Sequence, residues 1–117
     1  MATLQPLLTS EGAEAQFLYG ASLLNLQQPV EAIPYLRAAI AHDARLLPAG
    51  AALGQSLLQT GKAEEAIPLL AGAVSVDQDG STHFQLYRAY QLTGQEAEAR
   101  QALADYRRFR ASLAARP

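Results

Sequence analysis

Apolar residues along this chain gather into helix-like runs, broken at short and regular intervals. The clearest stretch is Leu53 to Leu70, LGQSLLQTGKAEEAIPLL, where two such runs flank a break at Gly61-Lys62. Upstream, Phe17, Leu18, Leu23, Leu24 and Leu26 give a helix over about 12–26 two apolar sides, as a layer between neighbours requires. Ile33, Leu36, Ala39 and Ile40 form one stripe on a second helix, about 30–43. The pattern predicts four more, over 47–60, 63–76, from 81 to a stop at Gly94, and over 96–114.

The punctuation between these runs is consistent with them. Thr9 or Ser10 is placed to cap the first helix, and Glu11 and Glu14 suit its positive end. Gln28-Pro29 is expected to end it, because a residue before proline resists the α region. Gly61 stands at the left-handed cap of the third helix. DQDG at 77–80 is a turn, and Ser81 or Thr82 is expected to cap the fifth helix. Pro34 and Pro68 are assigned to first turns, where a missing N–H has little to lose. Such short joints force antiparallel neighbours, so the six helices form three hairpins.

The hairpins repeat one another. Ala66-Ile67-Pro68 recurs 34 residues earlier as Ala32-Ile33-Pro34, and Leu53-Gly54 as Tyr19-Gly20. Leu57-Leu58, Leu70 and Asp77 match Leu23-Leu24, Leu36 and Asp43 at the same shift. A third copy aligns if one residue is dropped near Gly80: Leu86, Ala89-Tyr90, Gly94, Ala99 and Leu103 then fall on Leu53, Ser56-Leu57, Gly61, Ala66 and Leu70. The repeats are assigned to 13–46, 47–79 and 80–117. Residues 1–12 are a lead-in whose LQPLL looks like AIPLL at 66–70, as a remnant of a preceding copy would.

A helix-turn-helix unit of this length resembles the tetratricopeptide repeat, W-x2-L-G-x2-Y followed by A-x3-F and P. The first copy reads Gln16-x2-Tyr19-Gly20-x2-Leu23, then Ala32-x3-Leu36. The second reads Gly50-x2-Leu53-Gly54-x2-Leu57, then Ala66-x3-Leu70, and the third His83-x2-Leu86-Tyr87-x2-Tyr90, then Ala99-x3-Leu103. The opening aromatic is absent at Gln16, Gly50 and His83, and the closing proline is replaced at Ala44 and Gln78. The resemblance implies an all-α fold, a right-handed α-solenoid of three antiparallel helix-turn-helix hairpins. Within each hairpin, Gly20 and Gly54 are expected to face Ala32 and Ala66, letting the helices approach closely. Tyr87 replaces that glycine in the third pair, which is expected to sit further apart or to tilt.

The resemblance further implies a concave groove lined by the first helices and open to a peptide or partner segment. Its candidates are Phe17, Ala21, Leu24 and Asn25 from the first pair, and Gln55, Leu58 and Gln59 from the second. Phe84, Arg88, Gln91 and Leu92 complete it from the third. For Phe17, Leu24 and Phe84, packing between repeats competes with exposure in the groove. Chaperone-binding members clamp a carboxylate with charged groove residues; the matching Phe17, Ala21, Ala52, Ser81 and Gln85 carry no charge, which opposes such capture.

Composition narrows the function from the other side. Half the residues are hydrophobic and 17% are charged, unlike a disordered segment. The net charge of -2 opposes nucleic-acid or acidic-membrane binding by bulk electrostatics. Five of the nine basic residues, Arg100, Arg107, Arg108, Arg110 and Arg116, nevertheless crowd the last 18 positions. That is a solvated face or a docking patch for an acidic partner. With no cysteine, disulfides and thiolate chemistry are excluded. No apolar run is long enough to span a membrane, and no signal peptide is recognised, which favours the cytoplasm.

No catalytic constellation emerges. His42 and His83 are the only histidines and do not share a metal-ligand spacing; His83 is expected to pack or cap. Glu64-Glu65 and Glu96/Glu98 sit at helix starts, where they complement the dipole. No phosphate-binding glycine motif is present. The expectation is therefore a protein–protein interaction module with no catalysis, metal or cofactor. Its partner would be another protein or peptide, with neither nucleic acid nor membrane. The alternative is a unit that self-associates as a homo-oligomer through its terminal helices, where Leu103, Tyr106, Phe109 and Leu113 lie among arginines.

Overall fold

The computed structural model describes residues 12–116, and within them the chain is helical with no strand. Six α-helices follow in order: α1 Ala13–Asn25, α2 Pro29–His42, α3 Leu47–Gln59, α4 Ala63–Ala73, α5 Ser81–Leu92 and α6 Glu96–Ala114. A single 3₁₀ turn, Val74–Val76, finishes α4. They pair as three hairpins, α1 with α2, α3 with α4 and α5 with α6. The hairpins stack in sequence, α2 against α3 and α4 against α5. The first helices also touch one another, α1 with α3 and α3 with α5, so the array closes up on the first-helix side. Its radius of gyration is 14.9 Å, larger than the roughly 13 Å of a compact domain of this size.

Each hairpin turn is built the same way. The N–H of residues 28, 62 and 95 bonds back to the carbonyl of Leu23, Leu57 and Tyr90, at 2.9, 2.8 and 2.9 Å. The N–H of the residue before each bonds to Leu24, Leu58 and Gln91. These two bonds define a Schellman closure, which needs a left-handed residue between them. Gly61 and Gly94 supply it with φ of 86° and 75°, but the first hairpin uses Gln27 at 63°. Thr60 and Thr93 add hydroxyl bonds to carbonyls of the closing turn; Leu26 stands in that place in the first hairpin and is exposed.

The small residues do bring the paired helices together. A Cβ on Gly20 would lie 2.8 Å from Leu36 Cγ and 3.4 Å from the Ala32 carbonyl; on Gly54 it would lie 2.7 Å from Leu70 Cγ and 3.5 Å from the Ala66 carbonyl. Ala32, Leu36, Ala66 and Leu70 are wholly buried there. With Leu24, Leu53, Leu57 and Ala89 they form one core running through all three hairpins. Tyr35 is buried edge-on against Tyr19, ring centroids 4.6 Å apart, and burial, with Tyr19 adjacent, raises its phenol above the ordinary value.

Several local expectations are corrected. Pro29 does not merely end α1; it is the first residue of α2, and the chain has already left α1 through the left-handed Gln27. Pro34 and Pro68 are each the sixth residue of their helix, one turn deeper than expected. Their missing N–H leaves the carbonyls of Val30 and Glu64 without an intrahelical partner, tolerable because both residues are exposed to water. The N-cap of α5 is Gly80, not Ser81 or Thr82. That of α1 is Gly12, while Thr9, Ser10 and Glu11, like the LQPLL lead-in, lie outside the described residues.

Candidate functional site

Repeat position and burial sort the eleven candidate residues into three kinds. Residues 17, 24 and 58 form the first kind. Phe17 and Leu58 are half-buried against the core, and Leu24, 7% exposed, belongs to it. Leu24 is therefore not a free groove residue. A leucine one turn beyond Gly20 on the packed side is covered by the next hairpin, so packing wins over exposure at this position.

The second kind comprises two rows four residues apart on each first helix, hence on one face. Ala21, Gln55 and Arg88 occupy equivalent repeat positions, as do Asn25, Gln59 and Leu92. Asn25, Gln59, Arg88 and Leu92 are exposed, while Ala21 and Gln55 are half-buried. The six residues comprise three amides, one guanidinium, one leucine and one alanine, and Leu92 also lines a cleft with Lys62, Glu64 and Glu65. Arg88 makes no ion pair among the described residues.

Phe84 and Gln91 form the third kind. Their repeat positions match 17 and 24, but no hairpin follows α5 and α6 among the described residues. Phe84 is 39% exposed and packs instead on Tyr87 and on Tyr106 of its own partner helix, centroids 5.8 and 5.3 Å away. Beside them, Tyr87, Gln91, Glu96, Ala99, Arg100 and Leu103 line a cleft of about 420 Å³. Tyr87, which stands where the first two hairpins have glycine, is one of the residues lining it.

A polar joint holds that third hairpin. The Asp77 side chain, 1% exposed, accepts backbone N–H bonds from Asp79, Gly80 and His83. Its Oδ2 also lies 2.7 Å from His83 Nδ1. Burial works against ionisation here, but the His83 ring and the three backbone donors outweigh it and hold the Asp77 carboxyl below its ordinary range. An ionised carboxylate only accepts, so the ring nitrogen donates. The His83 ring also stacks on Phe109, centroids 4.7 Å apart. His83 thus both packs and braces the start of α5. The Asp77–His83 pair was readable only as an acid six residues before a histidine; in the preceding repeat Gly50 stands at the position of His83, and the matching Asp43 accepts from the Arg45 backbone N–H instead.

Elsewhere the charges are solvated. Arg37 meets Glu65 at 3.7 Å with both side chains more than half exposed, a contact worth little in water. No helix among the described residues is long and apolar enough to cross a membrane.

A family model described as tetratricopeptide repeat matches residues 23–86. Among solved structures, the chain is similar to YrrB, described as a TPR protein with an unusual peptide-binding site. The TM-score is 0.72 at 22% identity, over 84% of this chain and 51% of that one. The present chain therefore spans about half the length of that protein, and the likeness shows the fold. No curated protein matches the chain.

Proposed function

The chain belongs to the tetratricopeptide repeat family, and from that premise we propose that it is a non-catalytic protein-interaction module whose first-helix face holds an extended segment of another protein. The observation that supports this most is the pair of in-register rows, Ala21–Gln55–Arg88 and Asn25–Gln59–Leu92, at equivalent positions of three first helices that touch one another. An extended peptide offers unpaired backbone N–H and C=O groups, and an amide side chain can both donate and accept. Asn25, Gln55 and Gln59 suit that task. Ala21 leaves room for a side chain, and Leu92, 60% exposed, supplies an apolar contact. Arg88, which makes no ion pair among the described residues, favours an acidic residue at the third-repeat end of the ligand. The rigid scaffold lowers the ordering cost on its own side of the interface.

Selection of random displayed peptides on the full chain tests the reading. Recovered peptides should carry an acidic residue near one end and should bind a Gln55→Ala/Gln59→Ala variant about tenfold more weakly, as loss of one or two hydrogen bonds predicts. Folding of the variant is checked by circular dichroism. Recovery of no binder, or unchanged affinity in that folded variant, would reject the groove.

A further inference from the structure

Among the described residues no hairpin follows α5 and α6, and the third hairpin presents a face that its counterparts bury. Phe17, Leu24 and Leu58 pack under a following hairpin, whereas Phe84 and Gln91 at the same repeat positions do not. The face continues onto α6 as a stripe at helical spacing: Glu96, Arg100, Leu103, Tyr106 and Arg110 all line the two clefts that flank the Phe84–Tyr87–Tyr106 cluster.

The order of residues along this stripe is self-complementary. Reversed about Leu103, Glu96 falls opposite Arg110 and Arg100 opposite Tyr106, while Leu103 meets its own kind. Glu96 has no ion-pair partner among the described residues, and Arg110 has only a long 3.4 Å bond to the Asp79 carbonyl. Glu96, Arg100 and Arg110 are exposed.

We propose that this face is a two-fold dimer interface, in which α6 lies antiparallel to α6 of a second copy with Leu103 at the axis. Each Glu96 then pairs with Arg110 of the second copy. Each Arg100 stacks on Tyr106 of the second copy, as guanidinium groups do on aromatic faces. Like faces like, so the assembly closes at two copies and does not propagate into a fibre. An α6 of 19 residues is about 28 Å long, and two helices together are about 20 Å wide. Such a face buries on the order of 1,000 Å² in total, near the lower bound for a specific interface. The dimer is accordingly weak and concentration-dependent, and it leaves the first-helix rows open.

Sedimentation equilibrium of the full chain across micromolar concentrations tests this. The average mass should rise from one chain towards two and stop there. Glu96→Arg and Arg110→Glu should each weaken dimerisation at least tenfold while circular dichroism stays unchanged. An equimolar mixture of the two variants should dimerise again, because each then meets its complement, and so should the chain carrying both reversals. A monomer at every concentration, a mass climbing past two chains, or a dimer indifferent to the reversals would overturn the proposal.

Discussion

Gly50 and Gly54 occupy successive turns of α3, yet the same added methyl should move stability in opposite directions. At Gly54 a Cβ would lie 2.7 Å from Leu70 Cγ, and Leu70 is fully buried and cannot retreat. Gly54→Ala is therefore expected to cost about 1–3 kcal/mol through overpacking, and Gly54→Leu more. At Gly50 the nearest atom is the Leu69 carbonyl at 3.9 Å, an ordinary contact, beside an apolar crevice of about 180 Å³ shared with Ile40 and Leu47. Gly50→Ala should stabilise by about 0.5–1 kcal/mol through helix propensity. Urea denaturation of both variants checks the pair; equal shifts would mean the close approach at Gly54 carries no energy. The sequence already pointed to Gly54 and Ala66 as partners, because both recur at the 34-residue period. That Leu70, not Ala66, supplies the side-chain contact was not legible, since the period names equivalent positions but not rotamers.

The turns and joints carry the next set of expectations. Three Schellman closures share their hydrogen bonds, but only the first places a side-chain-bearing residue, Gln27, at positive φ. A left-handed L-residue costs about 1–2 kcal/mol, partly offset in glycine by a more flexible unfolded chain. Gln27→Gly should accordingly stabilise the array by about 0.5–1 kcal/mol, read as a raised thermal midpoint. Asp77 governs the joint into α5. Its folded carboxyl titrates below the unfolded one, so it contributes stability above the ordinary carboxylate range and loses it as pH falls through the folded value. Asp77→Asn should cost about 1–3 kcal/mol at neutral pH. Parallel melts should show the gap to wild type closing on strong acidification; a gap independent of pH would remove the ionised carboxylate from the joint. Helix existence and order were legible throughout, because apolar spacing reports a buried face. The caps were less so. Ser81 and Thr82 fit the usual cap chemistry, yet Asp77, six residues before His83, takes the N–H groups, and only the folded turn brings it there.

At the scale of the whole molecule, stability should grade from the middle outward. A stack of repeats gains from each interface, and terminal units have one neighbour instead of two. Here α3 packs on α2, α4, α1 and α5, while α6 packs on α5. Leu53 and Leu57 of α3 are buried at 3% and 1%, whereas the last turns of α6 are largely exposed. Amide exchange should therefore be slowest in α3, with opening free energies near the global value. It should be fastest past Phe109, where α6 outruns its partner. Core and surface rows were legible only in part for the same reason: Leu24 and Asn25 are adjacent in sequence, and the second hairpin alone decides that one is covered and the other wet. The grading has a mutational counterpart. Leu57→Ala removes a fully buried side chain from the central helix and should cost about 2–5 kcal/mol, lowering protection in all three hairpins. Leu113→Ala, near the far end of α6, should speed exchange there and leave α1 to α4 unchanged. Loss of protection confined to α3 in the first variant, or spread across the chain in the second, would show that the hairpins do not share one core.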